Sequence, residues 1–579
     1  MKNAVTTRVS LLLLVFAVLG VYYPAIFSPL NSVDDPGMYH YLLNLDSFSL
    51  RELFFPGGSG EYYRPLLVVS YLIDKYVWGL QESFMHLENI VFHLCNTLLL
   101  FAVARRACLL RGLEGTQTPL AMALFFALHP INTETVNWIA GRTDLLACFF
   151  VLLSMWLMLR LSGSRIGSCL AALSLLLACL SKETAIFFLP AALMLPFFMS
   201  KSGTGKVPPL LFTLRRNIPH FLLFTSAGIG YFVFRALAFT QGDSGVSRVL
   251  THVAGDQSAG FLNTLRPVLK AAGFYVKKLF VPFPLNFGII HVSDLYLYLG
   301  VILFIVVLWL LSRRSLSGFF FVAAFSIGSS ALLIPLLRLT WTPLAERYLY
   351  IPSAFFVVGM GFFLHKRCKS GLRRKILAAC LCFLLVIAVY GTACRTLLWQ
   401  DNLALFQDTL KKSPGFMPAK NEIATALYAL GREKEADAVI KSIELPENLV
   451  NFQLGLMSKA SALARQGDSV GARAFLGVAL KNPGKFEARI IEQIVKINEN
   501  EVLTGRAPKS AFYADNVQLL GRLYQITGDP FVLYRLGQIH LFAGNRTKAR
   551  DSFQQVIAKA SEKVYYRRTA EKLLVKLSE

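Results

Sequence analysis

Residues 295–311 read LYLYLGVILFIVVLWLL and contain no charged side chain. With its flanks, such a run is long enough to cross the hydrocarbon core of a membrane as a helix, which takes about 20 apolar residues. Eleven segments of this kind are present, at 9–30, 84–104, 118–132, 143–160, 166–181, 184–199, 218–239, 293–312, 317–337, 347–365 and 375–393. The fold is therefore predicted to be all-α, with a polytopic helical membrane domain of about eleven spans.

The composition changes near residue 395, where the apolar runs end and amphipathic sequence begins. This predicts a membrane domain over 1–394, with outer loops at 31–83, 131–143, 240–292 and 338–347, and a second domain over 395–579. In the second domain a glycine is followed five residues later by a small residue at Gly431/Ala436, Gly467/Ala472, Gly505/Ser510 and Gly544/Ala549. The glycine spacings of 36, 38 and 39 residues resemble those of stacked helix pairs. They predict an α-solenoid of tetratricopeptide-like repeats, of which the unit at 505 is degenerate.

The net charge of +24 could indicate nucleic-acid binding, but most of the excess lies in short loops between spans, which excludes that class. Placing the N-terminus in the cytoplasm puts these basic loops inside, as the positive-inside rule requires. The segment 263–282 carries Arg266, Lys270, Lys277 and Lys278, which suits a helix on the membrane surface. With eleven spans, the C-terminal domain is expected on the non-cytoplasmic side.

Charged and aromatic residues are concentrated in the outer loops. They are Asp34, Asp35 and Arg64 in loop 1; His129, Glu134, Arg142 and Asp144 in loop 2; Lys182 and Glu183 in the short connection SKET; and Glu346, Arg347, Tyr348 and Tyr350 in LAERYLYIPS. Cations at the membrane boundary suit a lipid phosphate. The acids could accept a proton from a hydroxyl or hold a divalent metal.

Each of these features also has a purely structural interpretation. The acidic pair could form a solvated loop, and Lys182 with Glu183 a structural ion pair. The stripe His86, Asn89, His93 and Asn96 is best explained by hydrogen bonds between helices. Pro36 favours a helix start after Asp35. Capping by Asp35 would leave Asp34 as the freer base.

Several motifs occur in an order that resembles a known family: VDDPGMY, YYRPL, HLENIVFHLCN, ALHPINTETVNWIAGRTDLLA, SKET, AERYLYIPS and WQDNLALFQDTLKKSPG. The chain resembles the transmembrane and tetratricopeptide-repeat O-mannosyltransferases and their prokaryotic relatives, within the C-type glycosyltransferase superfamily. It departs from their pattern at Asn132, where relatives often have His, and in its few, degenerate repeats.

The resemblance implies an inverting glycosyltransferase that moves mannose or a similar sugar from a polyprenyl-phosphate donor to a hydroxyl, such as Ser or Thr of a protein. Arg64, Arg142, Lys182 and Arg347 would bind the donor phosphate, and Asp34 or Asp35 would be the catalytic base. The supporting residues would be His129, Glu134, Glu183, Glu346, Tyr348 and Tyr350. A divalent metal, if any, would be held by Asp34, Asp35 and Glu134.

The expected partners are the donor, a protein or peptide acceptor on the repeats, and membrane lipid, with no nucleic acid. The expected location is a bacterial inner membrane with a periplasmic C-terminal domain. Two alternatives remain: transfer to an envelope glycan or lipid, and a non-catalytic scaffold that recruits partners through its repeats. The pair Asp34–Asp35 distinguishes the enzyme hypothesis from the scaffold hypothesis, because only an enzyme needs a carboxylate there.

Overall fold

The computed structural model describes residues 2–31, 33, 35–43, 49–56, 62–199, 210–238, 261–313, 315–337, 344–367, 371–442, 452–481, 483, 486–508, 510–560 and 565–578. Within these ranges the chain is helical and contains no β-strand, only an isolated antiparallel bridge between Ile289 and Leu344. The predicted all-α class is confirmed.

The chain divides into two compact units, residues 1–416 and 417–579. The first unit thus continues past residue 394. Its α-helices are α1 (Lys2–Tyr22), α2 (Asp35–Leu43), α3 (Leu50–Phe54), α4 (Pro65–Trp78), α5 (Glu82–Leu109), α6 (Gln117–Ala127), α7 (Thr133–Asn137), α8 (Arg142–Arg160), α9 (Arg165–Ser181), α10 (Leu189–Met199), α11 (Leu210–Arg216), α12 (Ile218–Ala238), α13 (Phe261–Phe280), α14 (Leu295–Arg313), α15 (Leu316–Leu337), α16 (Tyr350–Arg367), α17 (Gly371–Leu398) and α18 (Asn402–Lys412). Short 3-10 helices lie at Tyr23–Phe27, Pro130–Asn132, Ile139–Gly141, Glu183–Phe188 and Glu346–Leu349.

Each of the eleven predicted spans coincides with an apolar helix. In the part of the chain that the structure describes, seven helices are long and apolar enough to cross a membrane, and four shorter apolar helices accompany them, at 117–127, 165–181, 183–199 and 316–332. Helices α5, α8 and α16 are the most enclosed. In α14 and α17 only 11% of the residues in the most apolar stretch are buried. Apolar side chains that face outward along a whole helix indicate lipid contact, and the chain is an integral membrane protein.

Helix α13, which covers the rejected segment 263–282, is amphipathic and packs on the N-terminal half of α14. The contact is close because two glycines meet: a Cβ on Gly273 would lie 2.0 Å from the Tyr296 carbonyl oxygen, and one on Gly300 2.0 Å from that of Leu269. The basic side chains of α13 are not all on the surface, however. Lys278 is buried, at 2% exposure.

The second unit is built from helix pairs, as predicted. Its helices are α19 (Met417–Ala429), α20 (Glu433–Lys441), α21 (Phe452–Arg465), α22 (Ser469–Lys481), α23 (Glu487–Leu503), α24 (Tyr513–Thr527), α25 (Pro530–Phe542), α26 (Arg546–Lys559) and α27 (Tyr565–Ser578).

The four repeat glycines all adopt a left-handed backbone at the turn within a pair, with φ between 71° and 85° at Gly431, Gly467, Gly505 and Gly544. Glycine ends the first helix of a pair because it adopts this conformation without steric cost. The small residues Ala436, Ala472 and Ala549 are fully buried. Ser510, in the degenerate unit, is exposed.

Candidate functional site

Arg64 and Glu183 form a bidentate ion pair between the start of α4 and the 3-10 helix Glu183–Phe188. The Nε and Nη2 groups of Arg64 donate to the Glu183 carboxylate over 2.8 and 2.5 Å, and the Tyr62 ring centre lies 4.4 Å from the guanidinium carbon. Burial disfavours the charged guanidinium, but Glu183 outweighs it and raises the pKa of Arg64. The Arg64 side chain is 21% exposed, and its Nη1 group makes no hydrogen bond to any residue that the structure describes.

Lys182 is paired with Asp144 in a buried site. Its Nζ donates to both carboxylate oxygens, over 2.7 and 2.6 Å, and the two side chains are 7% and 5% exposed. Asp144 lies in the first turn of α8, where the helix dipole favours a negative charge. Burial lowers the pKa of Lys182, and the Asp144 carboxylate opposes that shift. Because the site is enclosed, water gives little screening of the pair.

Arg347 is held by Glu134 and by two aromatic rings. Its Nη1 donates to Glu134 Oε1 over 2.5 Å, while Glu134 Oε2 accepts the backbone N–H groups of Glu346 and Arg347 over 3.1 and 3.2 Å. The Arg347 guanidinium carbon lies 5.0 Å from the Trp138 ring centre and 4.9 Å from that of Tyr348. Cation–π contacts of this kind fix the plane of the guanidinium.

Three of the four predicted phosphate-binding cations are linked by neighbouring contacts. Arg64 pairs with Glu183, which follows Lys182 in the chain, and Lys182 donates to Asp144. The Tyr348 ring is shared, since its centre lies 5.7 Å from Lys182 Nζ and 4.9 Å from the Arg347 guanidinium carbon. Segments that are far apart in sequence therefore bring their cations to one place.

Arg142, the fourth predicted cation, is enclosed by partners of its own. It forms ion pairs with Asp74 and, over 3.0 Å, with Glu88. Its Nε donates to Asn89 Oδ1 over 3.0 Å, and its Nη2 to the Met85 carbonyl over 2.8 Å and to Asp74 Oδ1 over 3.4 Å. The side chain is fully buried. An arginine has five N–H donors, and these contacts occupy them, so the geometry gives Arg142 a structural position rather than a place beside the other three.

Asp35, one of the two predicted catalytic acids, anchors loop 1. It is fully buried as the first residue of α2. Its Oδ2 accepts the Asn31 N–H over 2.9 Å, and its Oδ1 accepts the Ala140 N–H over 3.2 Å. The carboxylate thus ties loop 1 to the Ile139–Gly141 turn. Asp34 lies outside the described residues.

Glu346 belongs to another buried ion pair. Lys278 Nζ donates to Glu346 Oε1 over 2.6 Å, and the side chains are 3% and 1% exposed. The same oxygen accepts the Asn286 N–H over 3.0 Å. Glu346 therefore fastens α13 and the following loop to the segment that carries Arg347.

His129 is a neutral structural residue. Its Nε2 lies 3.2 Å from the Leu279 carbonyl oxygen, so that nitrogen carries the proton, and its Nδ1 accepts the Ile131 N–H over 3.3 Å.

Tyr350 points into the helix bundle. Its hydroxyl lies 2.7 Å from His93 Nδ1 and accepts from Asn96 Nδ2 over 3.2 Å. Asn89 in turn donates to the Trp138 carbonyl over 2.8 Å. These bonds confirm the expectation that the polar stripe of α5 serves contacts between helices.

The described members of the candidate metal set, Asp35 and Glu134, are held by groups of the protein itself. Both oxygens of Asp35 accept backbone N–H groups, and both oxygens of Glu134 are engaged by the Arg347 segment. Over the residues described, no three His, Cys, Asp or Glu side chains are grouped closely enough to hold a metal.

Sequence reasoning missed several partners of the predicted residues. Asp74 and Lys278 pair with Arg142 and Glu346. The helices that carry them give no local sign of which residue each would pair with. The sequence places Asp144 in loop 2 but does not predict a function for it. Its position two residues after Arg142 at the start of an apolar span was the available signal.

The fold and the site define a polytopic helical membrane protein with a helical-repeat unit and a cationic cluster at one membrane face. No family model matches the chain. The chain is similar to protein O-mannosyl-transferase TMTC1 of Mus musculus, with 36% identity over 97 residues, 17% of this chain and 10% of that protein. It is similar to protein O-mannosyl-transferase TMTC3 of Homo sapiens, with 24% identity over 463 residues, 73% of this chain and 47% of that protein.

A third relative, protein O-mannosyl-transferase Tmtc1 of Drosophila melanogaster, is 36% identical over 134 residues, 22% of this chain and 15% of that protein. The resemblance inferred from the motifs is confirmed. The chain spans about half the length of TMTC3 and less of the other two.

Proposed function

We propose that the chain is a membrane glycosyltransferase that moves mannose or a similar sugar from a polyprenyl-phosphate donor to a Ser or Thr hydroxyl of a protein. The observation that carries the proposal is the link between Arg64, Lys182 and Arg347. Arg64 pairs with Glu183, the residue after Lys182, and Lys182 shares the Tyr348 ring with Arg347. The names of the relatives support the reaction class, since each is called a protein O-mannosyl-transferase.

In the proposed reaction the acceptor oxygen attacks the anomeric carbon, and the bond from that carbon to the phosphate oxygen breaks. The polyprenyl phosphate leaves with the bonding electrons, and direct attack inverts the anomeric configuration. Phosphate is a good leaving group, so fixed cations that stabilise its growing charge suffice without a general acid. Arg64 is the best placed to contact a phosphate oxygen, because its Nη1 group is not committed among the described residues and its side chain is partly exposed.

The carboxylates around these cations act as positioning groups in the proposal. Each cation has one carboxylate partner, in the pairs Arg64–Glu183, Lys182–Asp144 and Arg347–Glu134. These pairs balance the charge of the resting site and hold the donors in place before the substrate arrives. Preorganised donors stabilise developing charge without rearranging during the reaction. Arg142 contributes by fixing the start of α8, next to Asp144.

We propose that Asp34 is the base that accepts the proton of the acceptor hydroxyl. Asp35 is occupied by two backbone N–H groups and serves to hold loop 1. A neighbouring carboxylate is then needed as the base, and Asp34 is the adjacent acid. The alternative for this loop is a divalent metal held by Asp34, Asp35 and Glu134. A chelator separates the two, since a carboxylate base alone works in its presence.

The proposed orientation places the N-terminus in the cytoplasm and the second unit outside it, in the periplasm of a bacterial cell. A reporter fused after residue 579 should then read as non-cytoplasmic, and one inserted at residue 370 as cytoplasmic. A cytoplasmic signal after residue 579 would reverse this orientation.

The second unit supplies the proposed contact with the acceptor protein. It contains a cavity of about 680 Å³ whose lining includes Phe512, Tyr513, Phe542, Lys496 and Arg535. Aromatic and charged side chains together suit a polypeptide segment.

The alternative functions are transfer to an envelope glycan or lipid as the acceptor, and a scaffold without catalysis.

The deciding experiment is incubation of the purified chain with a panel of polyprenyl-phosphate sugars and candidate acceptors, with and without EDTA. Consumption of one donor together with labelling of a protein supports the proposal. Labelling of a glycan or lipid favours the first alternative. If no donor is consumed, although the protein is folded and inserted, the scaffold hypothesis is favoured.

A further inference from the structure

A long apolar groove runs along the membrane part of the first unit, and one of its ends lies next to the candidate site. Its volume is about 1140 Å³, above the roughly 300–1,000 Å³ of ordinary small-molecule pockets. Helices α13, α14, α15 and α16 line it with side chains such as Ile302, Val306, Phe321 and Phe356. Among the described residues, the lining contains no aspartate or glutamate.

The groove extends from one membrane face to the other. Along α16 its lining runs from Leu349, just before the helix, to Lys366 in its last turn. At a rise of 1.5 Å per residue this is about 25 Å, close to the roughly 30 Å hydrocarbon thickness of a bilayer. The end at Leu349 adjoins Arg347 and Tyr348, so the end at Lys366 lies at the opposite face.

Basic residues line the far end of the groove. Arg111, His365, Lys366, Arg367 and Arg374 line it there, and we call these five residues the basic rim. Among the described residues, the Arg111 side chain has no hydrogen bond or ion pair, and burial lowers its pKa. A half-buried guanidinium without an acidic partner among the described residues is available to an anionic group.

A groove of this kind is filled by hydrocarbon, because the membrane interior holds no water to solvate it. The rim then determines which lipid is preferred. We propose that the groove binds an anionic membrane phospholipid, with an acyl chain along α14 and α16 and its phosphate headgroup on the basic rim. The headgroup of this lipid lies in the leaflet opposite the proposed donor phosphate. The headgroup site is therefore separate from the donor phosphate site, and its occupancy does not depend on the proposed transfer.

Trp309 provides a direct probe, because it lines the groove. The full chain is reconstituted in phosphatidylcholine vesicles that contain a minor fraction of dibrominated phosphatidylglycerol or of dibrominated phosphatidylcholine. Bromine quenches nearby tryptophan fluorescence, and subtracting the signal of the Trp309→Phe variant isolates Trp309. We expect stronger quenching by the phosphatidylglycerol probe than by the phosphatidylcholine probe at equal content.

The rim is tested with a matched pair of double variants. Removing Arg111 and Arg374 as R111Q/R374Q should lower the phosphatidylglycerol preference by about five-fold per cation, the value for one cation at a membrane surface. The control R160Q/R165Q removes two exposed arginines outside the groove, and should leave the preference unchanged. Arg160 lies at the same face, since Arg106 in α5 donates to the Leu159 carbonyl over 3.1 Å.

If R111Q/R374Q fails to fold, the salt dependence of the phosphatidylglycerol preference can be measured on the unmodified protein as an independent test. The preference should weaken as ionic strength rises, because headgroup attraction to the rim is screened. Equal quenching by both probes, or an equal loss in both double variants, would overturn the proposal. So would displacement of the bound probe by a polyprenyl phosphate, which would make the groove part of the donor site.

Discussion

Lys182 Nζ lies 5.7 Å from the centre of the Tyr348 ring, and the same ring receives the Arg347 guanidinium at 4.9 Å. One aromatic side chain thereby fixes the spacing of two cations that come from distant parts of the chain. Both cations also have a carboxylate partner, so their positions are determined twice, by charge and by ring contact. This makes the cationic cluster a rigid feature on which substitutions have defined consequences.

Replacing Arg347 by lysine should reduce transfer while preserving the charge. Lysine cannot reproduce the planar contact with Trp138 and Tyr348 or donate from several fixed positions. Loss of one preorganised donor typically lowers the rate by about 10²–10³-fold. The measurement is donor consumption by purified R347K, with R160K as the control at an exposed arginine. Full activity of R347K would remove Arg347 from the phosphate site.

Asp34 and Asp35 should respond differently to conversion to asparagine. D34N removes the proposed base and should lower transfer by about 10²–10⁴-fold without changing thermal unfolding. D35N weakens the bonds from the Asn31 and Ala140 N–H groups, and leaving buried donors poorly satisfied costs about 1–3 kcal/mol. Its main effect should therefore be a lower unfolding temperature. The base assignment fails if D34N retains full activity in folded protein.

Arg142 should prove structural. R142M leaves the buried Asp74 carboxylate without its cation, which typically costs about 3–5 kcal/mol. The double variant D74N/R142M removes both charges and should recover part of that stability. The measurement is the yield of monodisperse protein and its unfolding temperature. A well-folded R142M with specific loss of transfer would instead return Arg142 to the donor site.

The contact of α13 with α14 should tolerate no side chain at its two glycines. In G273A and G300A the new Cβ would meet a backbone carbonyl at 2.0 Å, so the helices must separate. Gly230 in α12 is the matched control, because nothing lies within 4 Å of a Cβ built there. G230A should be neutral or slightly stabilising, since alanine favours a helix by about 0.5–1 kcal/mol. Equal unfolding temperatures for all three variants would contradict this packing.

The fold was largely predictable from sequence because its two signals are local. Apolar runs of span length marked all eleven helices, and the left-handed turns at Gly431, Gly467, Gly505 and Gly544 marked the repeats. The site was less predictable. Sidedness grouped Arg64, Lys182 and Arg347 with Arg142. It could not show that Arg142 is enclosed, because the partners that enclose it come from α4 and α5.

Lys278 shows the same limit in another form. Basic side chains at helical spacing indicated a surface helix, yet Lys278 is buried against Glu346. Burial of one cation in an amphipathic helix depends on an acid elsewhere in the chain, and periodicity contains no information about that acid. Tertiary pairing is the part of the site that local patterns omit.

Glu134 sets a constraint on how this protein can vary over evolution. Its carboxylate receives the Arg347 side chain and also the backbone N–H groups of Glu346 and Arg347. Many ion pairs can be inverted by exchanging the two residues, so that both signs occur among descendants. Here the backbone N–H groups remain donors whatever residue occupies position 347, and an arginine at 134 would face them with like polarity. The charges of the pair therefore cannot be exchanged, because the main chain requires a hydrogen-bond acceptor at position 134 and a basic side chain has none.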